Sequence, residues 1–372
     1  MRSLFLAILF LLGVGLVQVY SSSFIFAIES FDDGLFFVKK QALFVLASIL
    51  LLFITTNMPW KWLEKIALSL WFLAGLGVVL TLIPGVGVKV GGATRWLDIG
   101  AGFRFEPSEL LKYSYPALMA FIMTWESRNQ PMFKKIFVYS IPLLPFAALL
   151  AQPDFGSVAI ISVTLFTLLF TFGMKWRYAI ASLAVMLSAF YFLIVQVDYR
   201  MARVLAFLDP WSDPAKKGFQ VIQSMLGFHS GGVSGVGLGQ GQGKLFFLPE
   251  AHTDFTLSVL GEELGFIGVM CVLSIFAFVV LRGLQITVRA KEQKQAIIAL
   301  GVTLTFAISS LINAGVALGL LPTKGLGMPF LSYGGSALLS TCFGLGLLMK
   351  IDLNSVSEFR KKFIKIEKSG AP

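Results

Sequence analysis

The sequence predicts an all-α integral membrane protein on three observations. More than half of the 372 residues are apolar, they gather in runs of roughly 17 to 27, and the basic residues crowd one set of the loops between those runs. A hydrophobic share of 56% with mean hydropathy +0.82 lies far above that of a soluble domain. Runs of that length are what a helix needs to cross a hydrocarbon core, where only helices and closed barrels satisfy their own backbone. The expectation is one polytopic domain over residues 1–372, a ten-transmembrane-helix bundle, instead of two soluble domains.

In chain order, spans are expected at Leu4 to Tyr20, Gln41 to Thr56, Ile66 to Ile83, Leu110 to Trp125 and Ile136 to Leu150. The remaining five are Ser157 to Phe172, Tyr178 to Val197, Phe255 to Leu281, Ala296 to Leu318 and Tyr333 to Met349. The first is read as a span and not as a signal peptide. Ser21, Ser22 and Ser23 lead straight into Phe24, Ile25 and Phe26, a poor small-residue cleavage site.

Short positively charged loops stay cytoplasmic. With the N-terminus inside, alternate loops and the tail from Lys350 hold 18 of the 30 Lys and Arg residues. Both termini are therefore expected in the cytoplasm, with a large extracytoplasmic loop from about 196 to 253 between the seventh and eighth helices. The basic tail, about 350–372, reads as an orientation signal and an anionic-lipid contact, so the net charge of +10 calls for no nucleic acid. The two cysteines, Cys271 and Cys342, fall inside apolar spans, which points to no disulfide framework and no Cys-based metal site. The glycine-rich stretch Ser230 to Gly243 lacks the strand, turn and helix setting of a phosphate cradle and reads as a flexible or re-entrant turn.

Within the large loop, Arg200 and Arg203 sit three apart beside apolar residues, and Gln220 and Ser224 sit four apart opposite Phe219, Ile222, Met225 and Leu226. Each segment is either an interfacial amphipathic helix or a wall facing a polar headgroup.

Ionisable residues gather in four stretches, all on the outer side by loop parity. "GGATRWLDIGAGFRFEPSELLK" carries Arg95, Trp96, Asp98, Arg104, Glu106, Glu109 and Lys112. Trp96 suits a membrane interface, Pro107 a helix start and Glu109 the positive end of a helix dipole. Lys112 lies one turn deeper, where an ionisable group either marks a functional site or is neutralised by Glu109. "AQPDFGS" offers Gln152 and Asp154, the latter also a candidate cap. In "LLPTKGLGMPFLSYGG", Pro and Gly break the helical pattern around Lys324. "LPEAHTDFTLSVLGEELGFIG" carries Glu250, His252, Asp254, Glu262 and Glu263. Asp254 suits a helix cap, a metal ligand with His252 and Glu250, or a general base. Glu262 must face a partner or water, since two adjacent carboxylates in a span are costly.

These motifs, together with "VYSSS", "FFVKKQ" and "FLDPWSDPAKKGFQVIQSMLGFHSGGVSGVGLGQG", resemble in order and along nearly the whole chain the SEDS family (shape, elongation, division and sporulation), the peptidoglycan glycosyltransferases represented by FtsW and RodA. "PEAHTDF" and "PTKG" are more similar to the division branch than to the elongation branch. Glu106 departs from the glutamine usual before "PSEL", as do Thr256 and Ala337 from their usual residues.

The resemblance implies transfer of lipid II, an undecaprenyl-pyrophosphate-linked disaccharide-pentapeptide, onto a nascent glycan at the outer face of the bacterial cytoplasmic (inner) membrane. It implies Asp254 as the catalytic residue, and a substrate-binding set of Arg95, Trp96, Glu109, Lys112, Arg200, Arg203, Gln220, Ser224, Glu250, His252, Lys324 and Ser332. A divalent cation, Mg or Mn, is an expected aid to the pyrophosphate, and no organic cofactor is expected. Expected partners are a class B penicillin-binding transpeptidase, since the chain lacks SxxK with KTG, and other divisome or elongasome membrane proteins. The competing readings are a lipid II flippase, because intramembrane charges also mark translocation paths, and a non-catalytic scaffold for a penicillin-binding protein.

Overall fold

The computed structural model describes residues 1–90, 93–100, 102–125, 131–192, 201, 204–205, 207–215, 218–244, 251–323 and 325–368. The helices are α1 (Arg2–Phe31), α2 (Phe36–Asn57), α3 (Trp60–Leu80), α4 (Pro107–Met123), α5 (Met132–Ser140), α6 (Leu144–Ala151), α7 (Phe155–Thr171) and α8 (Trp176–Phe190). They continue with α9 (Phe219–Gly231), α10 (Thr256–Arg289), α11 (Gln293–Ala317) and α12 (Gly335–Lys368).

Each of the ten predicted runs falls largely on helix, and the chain is a helical, multi-pass membrane protein. Among the described residues seven helical stretches are long and apolar enough to cross a bilayer: α1, α2, α3, Met132–Ala151, α10, α11 and the Gly335–Ser355 part of α12. Helices α7 and α8 are apolar but shorter. In Met132–Ala151 a 3-10 turn at Ile141–Leu143 separates α5 from α6. Pro142 and Pro145 lie at the starts of that turn and of α6, positions where a missing N–H costs no helical bond.

The centre of the bundle is α4, buried at every position from Leu111 to Ala120, with α11 and α12 packed on it. Gly344 of α12 lies against the Tyr113 ring, Gly346 against Thr55 of α2 and Gly301 of α11 against Pro116. Small residues at these crossings let the backbones approach closely, the main route to tight helix packing without a hydrophobic drive between helices.

Three features go beyond the plain bundle of spans read from the sequence, of which only the first is not helical. The stretch between α3 and α4, read as a loop, folds into an antiparallel sheet of β1 (Gly87–Val90), β2 (Ala93–Asp98) and β3 (Arg104–Phe105), in that order. Val88 pairs with Trp96, and Leu97 with both Gly87 and Phe105. Lys40 Nζ donates to Gly102 O at 3.0 Å and lies over the Phe36 and Phe103 rings, tying this sheet to α2.

Second, α9 is held by small and apolar residues together: Val221, Ile222, Ser224, Gly227 and Gly231 are buried, the Phe228 ring lies against Gly261 of α10, and Leu226, read as part of the apolar face, is exposed. A Cβ on Gly231 would collide with Gly261 O.

Third, α10 is broken at Gly265 (φ 64, ψ −168), which separates a short segment, 256–264, from the long run 266–289.

Candidate functional site

The site forms where β2, the start of α7, the segment before α10 and residues 325–334 meet. Asp254 is half-buried. It does not occupy the cap position of α10: the N-cap is Phe255, which makes no side-chain capping bond. Its backbone is held from two sides. Asn313 Nδ2 donates to Asp254 O at 2.9 Å and to Leu326 O at 2.6 Å. Ser332 Oγ donates to Thr253 O at 2.5 Å, accepts from Met328 N–H at 2.7 Å and lies 3.1 Å from Thr256 Oγ1. Gln41, fully buried in α2, clasps the same loop through Ser332 O and the Gly334 N–H, both at 3.4 Å.

Gly325 faces this carboxylate. A Cβ there would lie 3.8 Å from Asp254 Oδ2 and 3.4 Å from Arg95 Nη1, so carboxylate and guanidinium converge on one glycine. Gly325 has φ +68, a conformation that L side chains rarely adopt.

Arg95 is itself oriented: its Nη2 donates to Pro153 O at 2.6 Å, and Nη1 lies 3.8 Å from Asp154 Oδ1. Asp154 is the cap read from the sequence, and the fold gives it a second contact. It caps α7, accepting from Ser157 N–H at 3.2 Å, and it faces a cation. Gln152 is buried and donates to Val78 O at 2.8 Å and to Thr81 Oγ1, fastening the same turn to α3.

Deeper in the bundle, Lys112 (3% exposed) donates to Glu109 at 2.7 Å, so the two neutralise each other, and Pro107 and Glu109 open α4 as read. Glu109 and Lys112 also line a narrow cleft with Tyr113, Ser309, Thr341 and Pro329. Glu106, at the N-cap of α4, has its N–H bonded to Ser336 Oγ at 2.9 Å. Desolvation, and next the charges of Glu109 and Asp154, push its carboxyl up to about 8 against the opposing pull of Lys112 and Arg95.

The other predicted residues are distributed as follows. Trp96 neighbours Arg95 along β2, so strand alternation sends the two side chains to opposite faces. Gln220 is half-buried on α9, whereas the Ser224 hydroxyl is committed to helix packing, donating to Ala317 O at 2.5 Å. His252 stacks on Phe26, with ring centroids 5.4 Å apart, and packs against Phe37 and Tyr333. Arg200, Arg203, Glu250 and Lys324 lie outside the described residues. Among the described residues no three His, Cys, Asp or Glu side chains come together to hold a metal.

Sequence reasoning overlooked Asn313, Gln41 and Ser336. Asn313 carried a usable signal, an amide inside an otherwise apolar span, where polar side chains bind helices together.

The fold and the site define a polytopic helical membrane protein with a carboxylate and a guanidinium gathered where several helices end. The family described as Cell cycle protein, FtsW/RodA/SpoVE, matches residues 2–357, and the chain belongs to that family. A protein of Geobacter metallireducens named "Probable peptidoglycan glycosyltransferase FtsW" is 40% identical over 339 residues, 91% of this chain and 90% of that one. Stage V sporulation protein E of Bacillus subtilis is 36% identical over 348 residues, 92% of this chain and 94% of that one. Among solved structures, one described as "Structural coordination of polymerization and crosslinking by a peptidoglycan synthase complex" matches with TM-score 0.77 and 27% identity over 95% of this chain and 98% of that chain. The rod shape determining protein RodA of Thermus thermophilus shares the fold, with TM-score 0.67 and 23% identity over 95% of this chain and 97% of that chain.

Proposed function

We propose that this chain is a peptidoglycan glycosyltransferase that polymerises lipid II into glycan strands, with Asp254 as general base. The observation that carries the reading is the convergence of Asp254 Oδ2 and Arg95 Nη1 on Gly325, where no side chain separates them. In this chemistry the acceptor 4-hydroxyl attacks the anomeric carbon of the donor, the new C–O bond replaces the bond to undecaprenyl pyrophosphate, and the hydroxyl proton passes to the Asp254 carboxylate. The leaving pyrophosphate needs positive charge. Arg95, preset by Pro153 O and Asp154, supplies a two-pronged donor, and Lys324, Arg200 and Arg203 are the further candidates. A divalent cation such as Mg or Mn would rest on one protein carboxylate and the phosphates of the substrate, as such ions commonly do.

All ten helical runs cross the membrane in this reading, with both termini cytoplasmic and residues 196–253 outside. A reporter fused after Gly232 that proved cytoplasmic would reject this topology. The transpeptidase half of wall synthesis comes from a class B penicillin-binding protein. The likeness to a peptidoglycan synthase complex that coordinates polymerization and crosslinking supports such a pairing, and the similarity to FtsW proteins favours the divisome. A tagged copy should gather at the septum.

The deciding experiment compares wild type with Asp254→Asn in polymerisation of fluorescent lipid II by the purified complex. Asparagine keeps the shape and loses the base, so the rate should fall roughly 100-fold to 10,000-fold while insertion is unchanged. Glycan made at the wild-type rate would end the assignment. Translocation of lipid II is the second reading, favoured by the Glu109 and Lys112 charge pair inside the bundle. It requires an Asp254→Asn protein that still moves labelled lipid between leaflets while wild type polymerises nothing.

A further inference from the structure

The reaction just proposed leaves two buried carboxylates without a role. Glu263 is 1% exposed, and its Oε1 accepts from Ser21 Oγ at 2.5 Å and from Lys244 Nζ at 2.7 Å. Lys244 Nζ also donates to Ser21 Oγ at 3.0 Å, closing a three-way cluster between α1, α10 and the glycine-rich loop. Glu262, 5% exposed, accepts the consecutive N–H groups of Gln242 and Gly243 at 2.8 and 3.0 Å. The same stretch of α10 takes the loop's main chain as well: Val236 and Gly237 N–H donate to Glu262 O and Glu263 O, both at 3.0 Å.

This cluster stands at one end of the short segment 256–264, and Asp254 stands just before the other. At the Asp254 end the segment is tied by Asn313, Ser332 and Thr256. At the carboxylate end the helix stops: Gly265 leaves helical geometry, and Phe266 and Ile267 N–H bond back to Gly232 O and Val233 O at 2.9 and 3.1 Å. A nine-residue rod is thus set apart from the run 266–289; α9 holds its middle, with Gly231 against Gly261 and Ser258 Oγ donating to Ser224 O at 2.9 Å, and the ionic cluster grips its far end. The grip is ionic, although a buried ion pair commonly gives no more stability than apolar residues of the same volume. Stability alone supplies no reason for charges here, whereas fixed geometry does.

We infer that Glu263, with Lys244 and Ser21, is a positioning residue for glycan polymerisation, latching the 256–264 rod so that the Asp254 carboxylate stays opposite Arg95. This rests on the reading of Asp254 as base.

The test uses the full chain with its transpeptidase partner, as wild type, Glu263→Gln and the neutral pair Glu263→Gln with Lys244→Met. Glu263→Gln should lower kcat roughly 10-fold to 100-fold while KM for lipid II stays within about twofold, the signature of a misplaced catalytic group. The neutral pair should recover the melting temperature but not kcat. A second readout is independent of activity. In a background of Cys271→Ser and Cys342→Ser, the rate at which a water-soluble maleimide labels Asp254→Cys should change at least about threefold when Glu263→Gln is added. Melting temperature and kcat that fall and recover together would make the cluster merely structural and overturn the inference, as would a Glu263→Gln enzyme with wild-type kcat. Should wild type fail to polymerise, the functional reading falls by itself. The labelling rate then decides the latch, an unchanged rate overturning it.

Discussion

Asn313→Ala should disable the site without touching an ionisable group. The side chain is 1% exposed, and its amide gives one hydrogen to Asp254 O and the other to Leu326 O. Alanine leaves both carbonyls without that donor. A buried polar group so abandoned costs about 1–3 kcal/mol. The Leu326 carbonyl lies in buried surroundings and should take the upper part of that range, while the Asp254 carbonyl is only partly buried and water can replace the lost bond. The sum is about 2–4 kcal/mol.

More informative is where the loss falls. The two carbonyls belong to the two segments that bring Asp254 and Gly325 face to face, so the bridge fixes a distance as well as a stability. A displacement of about 1 Å between reacting groups can cost roughly 100-fold in rate. Polymerisation of fluorescent lipid II and thermal unfolding in detergent should therefore both suffer, with kcat reduced far more than donor KM. Asn313→Asp, which turns a carboxylate oxygen toward one or both carbonyl oxygens, should be worse than alanine. An Asn313→Ala protein that unfolds early yet polymerises at the wild-type rate would refute the positional argument, and one that matches wild type in both would refute the energetic one.

Four further outcomes are expected. Lys112→Met strands Glu109 in the cleft and should destabilise the protein by about 3 kcal/mol, seen as a lower melting temperature, with Glu109→Gln and Lys112→Met together recovering most of it. Glu106 binds its proton more tightly folded than unfolded, so its stabilising contribution is complete below about 4.5 and is lost as pH rises through about 8. Melting curves from about pH 5 to 9 should fall for wild type and be flatter for Glu106→Gln. Gly325→Ala forces a Cβ into a left-handed position between Asp254 and Arg95 and should lower kcat more than stability, measured in the same two assays. Gly231→Ala drives a methyl into Gly261 O, and limited proteolysis should find α9 lifted from α10, at a cost of about 1–3 kcal/mol.

The helices were legible because a span's apolar length is a physical requirement that few other structures share. The strands of 87–105 were not, being two to six residues long, with Arg95 and Trp96 more conspicuous as chemistry than as alternate faces of a ribbon. In the site, Asp154, Glu109 and Lys112 could be read locally, because a cap and an i, i+3 pair are encoded within one turn. The partners of Asp254 could not. Asn313 lies 59 residues away and Ser332 reaches Thr253 across 79, and no periodicity reports a contact between a helix interior and a distant loop. Glu262 was expected to face a partner or water, and the glycine-rich loop supplies the partner; only the fold could show that the loop comes back to it and that Lys244 pairs with Glu263.

The break at Gly265 bears on how the enzyme meets its surroundings. A continuous helix from 256 to 289 would carry the carboxylate up or down, and swing it sideways, whenever the lipid around it thickened, thinned or made the span tilt. With the backbone turned at Gly265 and the short segment bonded to the glycine-rich loop, the position of Asp254 is referenced to that loop and not to the depth at which the run 266–289 happens to ride. Acting as the base proposed above, a carboxylate levelled in that way would meet a lipid-borne sugar at a constant height as the bilayer fluctuates around it.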